Sequence, residues 1–293
     1  MKKISIIFIV LSLLICSVSC SKNLRSNSSQ ASSDVISEAV PKGFLLSEVK
    51  HKMNTAKYTY NEKELLVLIE SFDKNGKLSY KQEFGYDENN YLNYDKLDSG
   101  VYISEENIVN SSTGKRLSGT IKDLHNGTEY LSTYTCTYDE KDRLLVYKQI
   151  DVDGNVEINK EYTYLDENGS YRLLTTENSV RPTSKEHYIN TAGYEVEIIQ
   201  RDNDGNVLIH DKYQYDDHGN RTETTDKDGN TTKVEYEYKD NLITSYKVIN
   251  SDGEVTSKTV FEYDEYGNKL KEKTTNASGS TTDEIEYVWV PKK

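Results

Sequence analysis

Apolar and polar residues alternate with a period of two over most of the chain, and turn residues break the alternation at regular intervals. From Lys233 to Tyr238, the side chains of Val234, Tyr236 and Tyr238 share one face, and Glu235 and Glu237 share the other. Leu242, Tyr246 and Val248 continue the apolar face in the next segment. An aromatic-x-aromatic signature marks each period. It starts at Tyr58, Phe84, Cys136, Tyr162, His187, Tyr213, Tyr236, Phe261 and Tyr287, with a double-length gap after Phe84 that places a degenerate copy near Asn110. A fixed period of about 25 residues is the mark of a repeat architecture.

Two turn signals fall inside each period. One follows the signature, as in His218-Gly219-Asn220 and Tyr266-Gly267-Asn268; the other comes about halfway on, as in Asn75-Gly76, Asp153-Gly154 and Asp228-Gly229. Such dipeptides supply the positive φ that hairpin turns need. The segments between them are rich in Thr, Val, Ile and Tyr, which is strand chemistry at two strands per repeat. With one face wet, the pattern predicts an all-β fold: tandem β-hairpin repeats forming an elongated, curled antiparallel sheet. A parallel β-solenoid is the alternative, and sharp hairpin turns twice per period fit it less well. Leu65 to Ile69 is apolar on both faces, so the segment from Phe44 to Val49 is expected to cover it; Pro291 is expected to blunt the last strand as a free edge.

The first residues change the picture. Met1-Lys2-Lys3 and the apolar run Ile4 to Ile15 read as a secretory signal, too short to span a bilayer. Ser17-Val18-Ser19-Cys20 resembles a bacterial lipobox, with Ser17 where Leu is usual; cleavage by ordinary signal peptidase is the competing reading. The domain reading is a signal peptide over 1–19, a lipid-anchored Ser-rich tether over 20–42 and the β-repeat domain over 43–293. Lipidation at Cys20 makes the chain an exported protein held by lipid at the cell envelope or surface of a bacterium. Cys136 is then the remaining thiol and reads as a small apolar residue.

Composition narrows the partners. The formal charge is −13, and 24 Tyr stand against 5 Phe and 1 Trp. That charge disfavours nucleic acid. A Tyr-rich, Phe-poor chain suits thin structure, in which a ring lies on an apolar face while its hydroxyl reaches water. Asp151-Val152-Asp153-Gly154-Asn155 and Asp226-Lys227-Asp228-Gly229-Asn230 invite a calcium reading, but the Gly comes too early for an EF-hand and an Asx-stabilised turn fits every residue. The five His share no ligand spacing, and no nucleophile elbow or phosphate loop occurs. The expectation is no metal, no cofactor and no catalysis.

The Tyr-Asp pairs at Tyr86-Asp87, Tyr138-Asp139, Tyr215-Asp216 and Tyr263-Asp264, with the turns after them, resemble the YD (RHS) repeats of bacterial surface and toxin-shell proteins. That resemblance implies a long array curling into an arc, with no catalytic residues of its own. The functional expectation is a non-catalytic, surface-tethered interaction module for an unknown macromolecular partner, glycan or protein. An accessory part of an RHS-type contact-toxin or secretion system is the alternative. Tyr213, Tyr215, Tyr236, Tyr238, Phe261, Tyr263, Tyr287 and Trp289 form the candidate binding face, open to a partner if the sheet stays a single layer and self-covering if it curls.

Overall fold

In the computed structural model, the described residues are 43–167, 170–178 and 183–292. They form twenty antiparallel strands: β1 (Phe44–His51), β2 (Asn54–Tyr60), β3 (Leu66–Asp73), β4 (Leu78–Tyr86), β5 (Leu92–Asp98), β6 (Tyr102–Asn110), β7 (Arg116–His125), β8 (Thr128–Tyr138), β9 (Leu144–Asp151), β10 (Val156–Glu167), β11 (Ser170–Asn178), β12 (Thr183–Ile189), β13 (Glu195–Arg201), β14 (Val207–Tyr215), β15 (Arg221–Thr225), β16 (Thr231–Lys239), β17 (Leu242–Ile249), β18 (Val255–Tyr263), β19 (Lys269–Asn276) and β20 (Thr281–Pro291). Each strand pairs with its sequence neighbours, and β1 also pairs with β20, from Phe44↔Pro291 to His51↔Ile285. The sheet is therefore a closed, up-and-down barrel.

One turn recurs around both rims. Asn61, Asp73, Asp87, Ser111, Asp139, Asp151, Asn190, Asp202, Asp216, Asp226, Asn250, Asp264 and Asn276 each open a five-residue loop in which the first N–H donates to the fifth carbonyl and the fourth N–H returns to the first carbonyl. The side-chain oxygen of the first residue accepts the N–H groups of the third and fifth, as Asp264 does from Tyr266 and Asn268 at 2.9 and 2.8 Å. The fourth residue has positive φ, from Gly154 at 86° to Glu64 at 61°. This is a type I turn closed by a left-handed residue, and the added residue appears as a bulge in the adjoining ladder, as between Glu262 and Tyr263. The Asp-rich loops thus spend their carboxylates on their own backbone.

Closure corrects several expectations. The elongated, curled open sheet and the parallel solenoid are both overturned by the β1–β20 pairing and the antiparallel register. The segment from Phe44 is a strand of the wall between β2 and β20, not a cover over Leu65 to Ile69. Pro291 does not guard a free edge, because it lies opposite Phe44. The YD-type array fails on the same ground, and with it the surface-tethered interaction module for a glycan or protein and the accessory role in a contact-toxin system. A closed barrel is one of the two architectures by which a chain can itself meet a bilayer. A wall of this kind needs no lipid to meet a membrane, and the lipid-anchored envelope localisation falls with the open sheet. The signal, the tether and Cys20 lie outside the described residues.

Two predictions follow from rim and seam. Asp151, Asp202 and Asp226 are held below the ordinary carboxylate value, first by the side-chain amides of Asn155, Asn206 and Asn230 and then by backbone N–H groups. A depressed folded pKa gives stability that is present above the unfolded value, about 4, and lost as pH falls through the folded one. Urea midpoints should hold from pH 7 to about 5 and fall steeply below about 4, with a shallower acid slope in the combined Asp151→Asn, Asp202→Asn and Asp226→Asn variant. Deleting 1–51 removes β1 and exposes β2 and β20 as edges. Size-exclusion chromatography should then show oligomers or aggregate, whereas a monodisperse monomer would contradict the closed wall.

Candidate functional site

The wall has two unlike faces. Register partners share a face, so the buried strand residues can be assigned: Ala56 with Ser71, Ile69 with Gln82, Ile108 with Gly119, Tyr162 with Thr175, and Thr259 with Tyr246. All of these lie on the tyrosine face, and Ser71, Tyr134 and Thr259 are 1%, 1% and 0% exposed, while Ser245, at 4%, is buried on the other face opposite Glu237. Side chains converge on a concave surface and fan apart on a convex one, so the covered face is the lumen side.

The outer face is a set of charge ladders. One runs Glu48↔Lys57↔Glu70↔Lys81↔Asp98, another Glu83↔Lys96↔Glu105↔Lys122, each step crossing to the next strand. Alternating signs directly opposite one another support the sheet and sit in water. Ion pairs such as Lys122–Glu129 at 2.8 Å and Lys247–Glu235 at 2.8 Å continue this surface.

On the inner face the signature tyrosines serve a shared purpose. The hydroxyls of Tyr60, Tyr86, Tyr138, Tyr215 and Tyr263 donate to the carbonyls of Leu46, Leu66, Arg116, Glu195 and Ile243 at 2.7–2.9 Å, each on the preceding strand. Asn110 stands in the same place on β6 and donates from Nδ2 to Leu92 at 2.8 Å, which is the degenerate copy. Trp289 Nε1 on β20 donates to the Lys269 carbonyl on β19 at 2.6 Å. Each bond satisfies the ring's polar end and lays it along the wall.

All eight residues of the candidate face lie on this inner wall. Phe261 and Tyr287 are buried, at 6% and 7% exposure, and the others are half-buried. Tyr236, Tyr246 and Phe261 make a chain of tilted rings with centroids 5.8 and 5.9 Å apart. Arg221 lies 3.9 Å over Tyr213, and Lys269 sits between Phe261 and Tyr287 at 4.8 and 5.2 Å. Cys136 is half-buried on the same face, and burial raises its thiol above the ordinary value.

A polar cluster escaped the sequence reading. Asp95 and Glu106 are direct register partners on the inner face, an arrangement that repels. Gln82 offsets it by donating to both Asp95 oxygens at 2.8 and 3.0 Å, and Arg116 donates to Glu106 at 2.9 Å. Burial raises Asp95 above the ordinary carboxylate value, with the Glu106 charge adding to it. Alongside, Tyr134 stacks on Tyr147 at 5.3 Å and lies over Gly119, where a Cβ would meet its hydroxyl at 2.5 Å. Burial also pushes Tyr80 and Tyr147 up to about 12. Asp95 faces Phe84 and Glu106 faces Ile121 across the ladder, placements invisible until the register of those strands is known.

No family model matches the chain. No curated protein matches it either. Among solved structures, the chain is similar to the TcdB2–TccC3–Cdc42 complex at 12% identity and TM-score 0.30, covering 76% of this chain and 15% of that one. This chain thus spans about a seventh of that structure's length. Porin-like proteins from Bacteroides uniformis and Bacteroides vulgatus are similar at 13% and 10% identity and TM-scores of 0.37 and 0.29. They cover 85% and 84% of this chain and 96% and 99% of their own. Likenesses at these TM-scores decide neither fold nor function; the barrel is read from its hydrogen-bonded register.

The tether and the buried ring separate under mutation. Tyr263→Phe should lower stability by about 1 kcal/mol, the net worth of one hydrogen bond. Tyr134→Ala, which strips a covered ring, should cost about 3–5 kcal/mol. Both are read from urea midpoints.

Proposed function

We propose that the protein works through its lumen, holding small, uncharged, water-soluble molecules against the aromatic inner wall without turning them over. A barrel of twenty strands is wide enough for an aqueous interior. The observation that carries the reading is the ring-lined inner wall, where hydroxyls are tied to backbone and π-faces remain for flat, apolar parts of a solute. The charges among the rings are held by neighbours on the wall, Asp95 by Gln82, Glu106 by Arg116 and Glu272 by Lys269, which leaves the ring faces to neutral solutes. The inner carboxylates are held by Gln82 and Arg116 rather than aimed at a reacting atom, which supports binding over catalysis.

Closure and an even strand number favour a second reading, a pore across a bilayer. Against it stand the outer charge ladders, since a Lys at the midplane of a bilayer costs about 2–4 kcal/mol. The five residues of β15 also fall short of the roughly nine a crossing strand needs.

Saturation-transfer NMR on detergent-free protein with a library of small neutral and charged solutes tests the proposal. Neutral solutes with a flat face should show transfer that weakens in Phe261→Leu. No transfer from any neutral solute would end the lumen reading, and stepwise conductance in planar bilayers would replace it with the pore.

A further inference from the structure

Two ladders of the wall are held by three register pairs each. β1 meets β2 over Glu48↔Lys57, Val49↔Ala56 and Lys50↔Thr55, and β15 meets β16 over Glu223↔Lys233, Thr224↔Thr232 and Thr225↔Thr231. Every other odd-numbered strand meets the even strand after it over five pairs or more. Strands run up and down in turn, so both short ladders adjoin hairpins of the same rim, at 52–53 and 226–230. Toward the opposite rim, where the signature tyrosines end their strands, these two lines part. Ser47 is bulged out of the β1–β20 ladder and its hydroxyl donates to the Val288 carbonyl at 3.0 Å, which draws β1 away from β2. Between β15 and β16 a cavity of about 440 Å³ opens, with Thr222 and Glu223 on one side and Val234, Glu235 and Tyr236 on the other. Side chains bridge both lines. Tyr60 donates to the Leu46 carbonyl at 2.9 Å, and Lys292 reaches from the end of β20 to Glu64 at 2.7 Å. Tyr236 donates to the Arg221 carbonyl at 3.1 Å, and Tyr238 donates to Asp216.

We propose that β16 to β20 together with β1 form a six-strand flap, hinged at the two short ladders and latched by tyrosine hydroxyls at the opposite rim, which swings outward to admit solutes to the lumen. Both hinges sit at one rim and both latches at the other, so one rotation about the line joining the two hairpins frees the latches together. Inside the flap the strands are well joined. Seven pairs hold β1 to β20 and seven hold β16 to β17, and the Phe44 ring of β1 lies 5.1 Å from Tyr266 in the β18–β19 loop. On the other side of the line β15 stays with β14, which it meets as far as Tyr215↔Arg221 at the latched rim. The swing therefore breaks side-chain bonds and spares the backbone ladders. A hydroxyl released from a carbonyl regains its bond in water, so each latch holds by only a small net margin. The Lys292–Glu64 pair, with side chains 28% and 36% exposed, adds little. The motion rests on the wall alone; only its use, admission of solutes, rests on the lumen reading.

Double electron–electron resonance on the full chain, with Cys16, Cys20 and Cys136 replaced by Ser, tests it. One spin-label pair, Glu140→Cys and Glu265→Cys, spans the flap and the rest of the wall at the latched rim; a second, Asp153→Cys and Ser251→Cys, spans them at the hinge rim, and all four positions are exposed. The latched-rim pair should show a short and a long distance. The long population should grow about fivefold relative to the short one in Tyr60→Phe, the net worth of one hydrogen bond, and further in Tyr60→Phe/Tyr236→Phe. The hinge-rim pair should keep one narrow distance throughout. A cooperative thermal transition confirms that each variant is folded, and the single variant decides if the double one is not. One unchanging distance at the latched rim overturns the flap, as does equal broadening at both rims, which is general loosening of the barrel. No solute is present, so the result stands or falls apart from the lumen reading.

Discussion

A wall one sheet thick must cover its own apolar face, and the hydroxyl-to-carbonyl bond is what makes that feasible here. With no second layer to pack against, a ring can be shielded only by lying down on the strand beside it. Tyrosine does this where phenylalanine could not, because its polar end finds a backbone acceptor on the preceding strand, as Tyr263 finds Ile243. Flattened rings then cover the small residues beneath them, and Ser71 and Thr259 become fully buried without any opposing sheet. The excess of tyrosine over phenylalanine follows from this requirement.

The rims solve a separate problem. Each strand reversal needs one left-handed residue and one side chain to hold the exposed N–H groups, and the Asx-x-x-Gly loop provides both in five residues. Where Gly is replaced at the fourth position, Glu64, Asn90 and Asp142 occupy the same conformation, the last two being residue types that tolerate it best. The extra residue leaves a bulge, and bulges strengthen the local twist that a closing sheet needs. Turn chemistry and curvature therefore share a cause.

How far the sequence was legible follows from this division. Alternation and turn dipeptides placed strands and loops well, and Asn110 could be suspected because its period was missing from the signature. Closure was not legible, since it depends on the summed twist of twenty strands and on whether Phe44 arrives opposite Pro291. No local pattern near either residue encodes that meeting. The inner cluster was hidden for a related reason: Asp95 and Glu106 look like two acids among 49 until the register sets them face to face.

The pairing of Phe44 with Pro291 has a consequence for connectivity. Because the first and last strands are neighbours like any other two, the wall has no privileged starting point. The order of strands around the ring would survive a chain joined across that seam and opened instead at another hairpin, such as the loop at Asn250. What the ring requires is the cyclic sequence of registers, and where the polypeptide begins to trace it is immaterial to the wall.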